Sequence, residues 1–377
     1  MRDQRLDRLA DVLVRYSTRV KQADQVVIAA DPVALPLVEA VYQKALEVGA
    51  HPFWLSRSES LANMDLLYGS DEQLAWLSPM MMNMIETVDV YITFWAEINT
   101  RGLGRIDPAR IAAQRQSRKP FMAKFLERNA SGDLRWVGTL YPTHASAQDA
   151  EMCLSQYEQF VFEAGLLHTP DPVAGWEQIR SRQQAVCDFL QGKELVHFRS
   201  PPGDDHDGTD LRVSVAGSTW INCAGEENFP DGEVFAGPRG ADGHVNFTYP
   251  AVYNGREVEG VRLQFKNGRV VDASARKNEA FLIAMLDQDD GARTMGEIAI
   301  GTNYAIKEFS RNTLFDEKIG GTFHAACGAG YPESGNSNES ALHWDMVCDL
   351  RRGGSIEADG QVFHRDGRFL NPEWPGN

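Results

Sequence analysis

The chain has 377 residues, of which 43% are hydrophobic and 24% charged, and its formal net charge is -16. The length exceeds one ordinary core, so two domains are expected, and the composition is that of a globular protein. The acidity is spread along the chain and would repel a phosphate backbone, which argues against a nucleic-acid partner.

The opening Met1-Arg2-Asp3-Gln4-Arg5-Leu6-Asp7 is charged and offers no apolar stretch for a signal peptide. An amphipathic helix follows, with Leu6, Leu9, Leu13 and Tyr16 on one face. Gln25 to Ala30 reads as a buried strand, broken by Asp31-Pro32. Residues Val33 to Val48 have helical spacing, with Val38, Val41, Tyr42 and Ala45 on a stripe and Gly49 as the stop. Pro52 to Leu55 supplies a second strand and completes a βαβ unit. No apolar run is long enough for a membrane span; the nearest, Trp76 to Met84, is interrupted by Pro79. A further strand is expected at Val88 to Phe94 and a further helix at Ile106 to Gln116. The first half is therefore α/β with a mainly parallel sheet. It carries neither G-x-G-x-x-G nor a P-loop, so no nucleotide site is expected there.

A helix from about Trp176 to Leu190 precedes a change of character. Strands are expected at Glu194 to Phe198, Asp210 to Val215, Val245 to Tyr253, Val261 to Phe265 and Val270 to Ala273. Lys266-Asn267-Gly268 reads as a hairpin turn. The expected division is an N-terminal α/β domain over residues 1–190 and a C-terminal α+β domain over 191–377. The cysteines Cys153, Cys187, Cys223, Cys327 and Cys348 are odd in number and include no C-x-x-C pair. That predicts free thiols, a reducing cytoplasmic setting and no cysteine-held zinc.

The residues with chemical potential lie in the second half. Glu233 sits between turn formers and an apolar pair. Glu297 lies in the Gly-bounded apolar stretch Met295 to Thr302, where a buried carboxylate needs a partner or a metal. Its alternation with Ile298 also allows the solvent face of a strand. Asp316-Glu317-Lys318, His324, Tyr331 after a Gly-rich turn, and His343-x-Asp345 complete the set. On a strand, the two side chains of H-x-D share a face. Nitrogen and oxygen donors without thiolate suit Zn, Mn, Co or Fe(II), and their number suffices for two ions that activate water and polarise a carbonyl.

Gly232-Glu233-Val234-Phe235, Gly296 to Asn303, Asp316 to His324, Asn338 to Met346 and Gly208-Thr209-Asp210-Leu211 are the matching segments of an ordered series. That series resembles the dinuclear metallo-aminopeptidases typified by aminopeptidase T and aminopeptidase S, the thermophilic leucyl aminopeptidases. The first βαβ unit is similar as well. The resemblance implies Glu233, Glu297, His324, His343 and Asp345 as metal ligands, Glu317 as a further one, and Tyr331 as the active-site tyrosine. It also implies two divalent ions (Zn, Co or Mn), a peptide substrate cut at its N-terminus, and a homodimer.

Two other functions compete. A ring-cleaving dioxygenase acting on hydroxylated pyridines would need one Fe(II), which His324, His343 and Asp345 could hold. Such a site does not need Glu233 and Glu297, so their presence favours two ions. A non-catalytic binding protein on a decayed hydrolase fold should have lost ligands, yet every matched position is filled. Cys327 and Cys348 are expected to be structural despite their nearness to the ligands in sequence.

Overall fold

The computed structural model describes residues 2–253 and 255–376. The chain divides into two compact units, Met1–Val173 with Gly225–Phe229, and Ala174–Ala224 with Pro230–Asn377.

The first unit is built on a five-stranded sheet in the order His51–Ser56, Gln25–Ala30, Val90–Trp95, Arg135–Leu140 and Asn228–Phe229. All of its pairings are parallel. The opening helix Gln4–Asp11 runs into a wider-wound turn, Val12–Ser17, and buries Leu6, Leu9, Leu13 and Tyr16 as its spacing requires. Asp31 accepts a hydrogen bond from the Val33 amide at 3.0 Å and starts the turn Pro32–Ala34, which leads into the helix Leu35–Val48. Gly49 ends that helix at φ 86°, a left-handed position that favours glycine. Leu37, Val38, Val41 and Ala45 are buried, whereas Tyr42, expected on that stripe, is exposed. The strand Arg135–Leu140 is not among the expected elements, and it carries Gly138 in its middle. Its glycine has a packing reason: a methyl group there would collide with the Trp95 ring.

The second unit holds two antiparallel sheets. The larger runs Arg269–Ser274, Arg262–Lys266, Gly240–Asn246, Thr209–Ser214, Leu195–Ser200, Ser355–Ala358, Gln361–Arg365 and Arg368–Phe369. The smaller runs His343–Asp349, Thr322–Gly328, Met295–Gly301, Glu233–Ala236 and Ile221–Cys223. One apolar core joins them. Phe198, Leu211, Val213, Val245 and Leu263 from the larger sheet meet Val234, Ile298, Ile300, Phe323, Trp344 and Met346 from the smaller. The Phe198 and Phe323 ring centres lie 4.4 Å apart.

The helix Pro172–Leu190 contributes Val186, Cys187 and Leu190 to this core. The division between units therefore falls in the first turn of that helix, between Val173 and Ala174, rather than after it at residue 190. The expected strand Val245 to Tyr253 is two, Gly240–Asn246 and Ala251–Tyr253, with Pro250 between them as a residue that cannot donate to a ladder. The hairpin at Asn267-Gly268 is present, with φ values of 51° and 78° that suit its tight turn. Among the described residues, no helix is long and apolar enough to cross a membrane.

A bulge interrupts the strand Met295–Gly301 next to Glu297. Met295 pairs with Cys327 and Glu297 with Ala326, so Gly296 is the unpaired extra residue. A methyl at Gly296 would run into the backbone carbonyls of Gly328 and Ala329. Gly296→Ala is expected to destabilise the protein by about 1–3 kcal/mol, the usual result of overpacking. Urea unfolding measures it, and an unchanged midpoint would show that the bulge relaxes freely.

Candidate metal centre

Four strands of the smaller sheet carry the candidate ligands, and alternation assigns their direction. Val234, Ile298, Ile300, Phe323, Trp344 and Met346 face the core. Glu233, Glu297, His324, His343 and Asp345 therefore point to the other face. Register then clusters them. Ala326 on the middle strand pairs with Glu297 on one side and Asp345 on the other, so a small methyl lies between two carboxylates. Much of the face is closed to water: Glu233, Glu297 and His324 are buried, and His343 and Asp345 are partly so. The solvent-face alternative for Glu297 is thereby removed.

The distances are those of a shared site. His324 Nε2 lies 3.2 Å from Glu297 Oε1 and 3.3 Å from Glu233 Oε2. His343 Nε2 lies 3.7 Å from Glu297 Oε2 and 3.5 Å from Asp345 Oδ1. Glu297 thus turns one oxygen toward each histidine. Each imidazole is oriented from behind. His324 Nδ1 donates to the Glu317 carbonyl at 3.0 Å, and His343 Nδ1 donates to the Ala329 carbonyl at 2.9 Å. With Nδ1 committed to a carbonyl, Nε2 is the atom that gives its lone pair to a metal once its own proton has left, as outer-shell carbonyls arrange for metal-binding histidines.

These residues fit a divalent cation. Glu233, Glu297 and His324 bring one ligand atom each within 4.8 Å of one another, as do Glu297, His343 and Asp345, and Glu317, His324 and Asp345. Glu233 Oε2 and Asp345 Oδ1 are buried with no hydrogen-bond donor. A carboxylate oxygen is costly to bury in that condition, and a cation relieves it. Cys327 and Cys348 belong to the apolar core on the far face of the sheet, away from the cluster.

Electrostatics point the same way. Burial pushes the Glu233 carboxyl up to about 8 even though Lys318 and His324 act against it. Burial opposes charge on His324 and His343, but the surrounding carboxylates overcome it. Glu297 and Glu233 raise His324 to about 9, and Asp345 and Glu297 raise His343 to about 10. Asp345 is held below the usual carboxylate range by both imidazoles despite its burial. Protons thus take the places that suit a cation.

Tyr331 stands at the rim, after Gly328 at φ 107° and before the short turn Pro332–Ser334. Its ring centre is 5.3 Å from that of His343 and 5.4 Å from that of Phe235. Asn336 pins the loop by donating to the Pro238 and Met295 carbonyls at 2.9 and 3.0 Å. Burial, reinforced by Glu297 and Asp345, raises the phenol above its ordinary range and keeps it a donor. A small cleft opens beside Glu317 and Asp345, with Pro250, Val252, Phe309 and Val347 on its walls.

Glu233, Glu297, Glu317, His324, His343 and Asp345 thus gather in one place with Tyr331 at the rim, whereas Asp316 turns aside and accepts from the Ser310 amide and hydroxyl at 2.6 and 2.9 Å. Lys318, which the sequence offers only as part of a charged triplet and with no role of its own, is almost wholly buried and lies 2.5 Å from Glu233 Oε1 and 2.7 Å from Glu317 Oε1. In a run of Asp316-Glu317-Lys318 it reads as surface. The available signal was the apolar, Gly-rich stretch directly after it.

The family profile described as thermophilic metalloprotease (M29) matches residues 2–369. Aminopeptidase 2 of Geobacillus stearothermophilus is 28% identical over 411 residues, covering 99% of this chain and 98% of the relative. Aminopeptidase T of Thermus aquaticus is 28% identical, with 96% and 95% covered. The solved structure of wild-type AmpT from Thermus thermophilus superposes with a TM-score of 0.84 at 24% identity, over 98% of this chain and 99% of that one. That likeness shows a common fold.

Metal binding must displace the protons held by Glu233, His324 and His343, whose values near 8, 9 and 10 lie above neutrality. Binding at pH 7 is therefore expected to release protons, and affinity should rise as pH increases toward 10. Calorimetry in buffers of different ionisation enthalpy measures the release. No net release at pH 7 would show that the imidazoles are already neutral.

Proposed function

Because the chain belongs to the thermophilic metalloprotease (M29) family, it is a metal-dependent peptidase, and we propose that it is an aminopeptidase working with two divalent ions. The observation that carries the two-ion reading is Glu297, whose two oxygens face different histidines. One ion would be held by Glu233, Glu297 and His324, and the other by Glu297, His343 and Asp345. Glu317 lies close enough to His324 and Asp345 to add a further oxygen. Zn, Co or Mn suits this nitrogen and oxygen set. The full-length match to a peptidase family sets aside the ring-cleaving dioxygenase, and a lone Fe(II) would leave Glu233 and half of Glu297 buried without use.

When bound, such ions supply an activated water at neutral pH and polarise the scissile carbonyl. The chain's own residues do the rest. The buried carboxylates exclude bulk water and hold the donor set rigid. The Ala329 and Glu317 carbonyls keep both imidazoles in the ligating tautomer. Tyr331 keeps its proton and offers a hydrogen bond to the oxygen on which charge develops. The cleft beside Glu317 and Asp345 receives the peptide substrate.

The second unit, Ala174–Ala224 with Pro230–Asn377, is taken as the catalytic one, since every candidate ligand lies within it. The described cysteines are all free thiols, which accords with a cytoplasmic setting. A homodimer rests on the resemblance alone, and sedimentation equilibrium decides it.

Metal analysis of the purified protein should give about two ions per chain; one iron or none would overturn the reading. Glu297→Gln should lose both activity and metal, with affinity falling by more than the roughly 100-fold typical of losing an outer-shell partner. Full occupancy in that variant would remove the bridging role. Tyr331→Phe should lower kcat by about 100-fold with little change in KM or metal content, since its donor acts on charge present only in the transition state. A Phe variant with wild-type kcat would mean that Tyr331 is not catalytic.

A further inference from the structure

An ammonium cannot ligate a metal, yet Lys318 lies among the ligand carboxylates. Lysine is almost never fully buried unless paired, and its pairing here is specific. Nζ donates to Glu233 Oε1 at 2.5 Å, lies 2.7 Å from Glu317 Oε1, and has Asp231 Oδ1 at 3.6 Å. Its backbone is also fixed. The Lys318 carbonyl accepts from the Asn303 amide at 3.0 Å, and the Asn303 side chain donates to the Asp231 carbonyl at 2.8 Å. Gly232, between Asp231 and Glu233, holds φ 128° against Asn303, where a side chain would collide. Lysine and carboxylates are thus delivered by two segments locked to a common asparagine.

The oxygens of the cluster are divided atom by atom. Lys318 takes Oε1 of Glu233, while Oε2 of the same carboxylate faces His324 and has no donor. Glu297 gives no oxygen to Lys318 and faces a histidine with each. The carboxylates of Asp231, Glu233, Glu297, Glu317 and Asp345 are matched in charge by two divalent ions and one ammonium.

We infer that Lys318 is a resident cation of the metal cluster, which occupies one oxygen of Glu233 and one of Glu317, limits each to single-oxygen ligation, and loosens the hold on divalent ions. This inference rests on Glu233 and Glu317 being ligands. Its consequence is counter-intuitive for a residue that stabilises the carboxylates: removing it strengthens metal binding. The ammonium repels a divalent ion, and in a shielded site that repulsion is large. Removal also frees two oxygens for a second contact.

Lys318→Met and Lys318→Gln remove the charge, the second with a polar group retained. Wild type and variants are stripped of metal, checked for native circular dichroism, and titrated with zinc against a chromophoric chelator. Both variants are expected to bind zinc at least about tenfold more tightly than wild type. If stripping unfolds a variant, zinc release from the loaded protein to excess chelator is timed instead, and release at least about tenfold slower is expected. Equal or weaker binding, or equal or faster release, in a natively folded variant would overturn the inference and leave Lys318 a purely structural prop. A wild-type chain that binds no zinc would fell the metal reading of the cluster, and this inference with it.

Discussion

An antiparallel strand sends successive side chains to opposite faces, and the metal cluster depends on that constraint. In the smaller sheet of the second unit, Val234, Ile298, Ile300, Phe323, Trp344 and Met346 anchor one face in the apolar core. Each candidate ligand on the strands sits next to one of these anchors in sequence. Fixing Ile298 by burial fixes the direction of Glu297, and fixing Trp344 fixes both His343 and Asp345. A one-residue slip would exchange the faces and drive carboxylates into the core. Register is therefore enforced by the same burial that stabilises the unit.

The segments at either end of the strand Thr322–Gly328 supply what the sheet does not. Before it come Glu317 and Lys318, and the Glu317 carbonyl orients His324. After it come Ala329, whose carbonyl orients His343, and Tyr331 at the rim. One continuous stretch of chain thus carries His324, the carbonyls that orient both histidines, the ammonium and the phenol. Glu233 and Glu297 arrive from strands on one side of it and Asp345 from the other. The small residues Ala326 and Gly296 make that convergence possible, the first by leaving room between carboxylates and the second by allowing the bulge beside Glu297.

The sequence was most legible where motifs follow one another in order. Neither Glu297 among Ile and Gly nor H-x-D beside Trp344 is decisive alone, since a solvent-facing Glu and a chance two-residue pattern would look the same; their ordered combination carried the reading. The βαβ opening was legible from periodicity and from Asp31-Pro32 and Gly49 as punctuation. Strand order was not, because which strands become neighbours is decided by contacts far apart in the chain. The strand Arg135–Leu140 was not read, and its Gly138 answers to the Trp95 ring. Lys318 was hidden because a charge triplet looks solvated until the carboxylates that enclose it are placed, and Asp231 and Glu233 lie far away in sequence. The helix Pro172–Leu190 was found from its pattern, but its allegiance to the second core depends on Val186, Cys187 and Leu190 meeting strands that come later.

The short strand Asn228–Phe229 has a consequence for how the chain can reach this state. It completes the parallel sheet of the first unit, pairing with Arg135–Leu140, although the residues before and after its segment belong to the second unit. As the chain emerges from the ribosome, the first sheet waits for its edge until that point in synthesis. By then Leu195–Ser200, Thr209–Ser214 and Ile221–Cys223 have emerged, while most of their partner strands have not. Sheet edges of both units are therefore open at the same moment, and open edges are sites of mispairing. The two units are interleaved in order of appearance, so neither can be released whole by a single cut or finished before the other has begun.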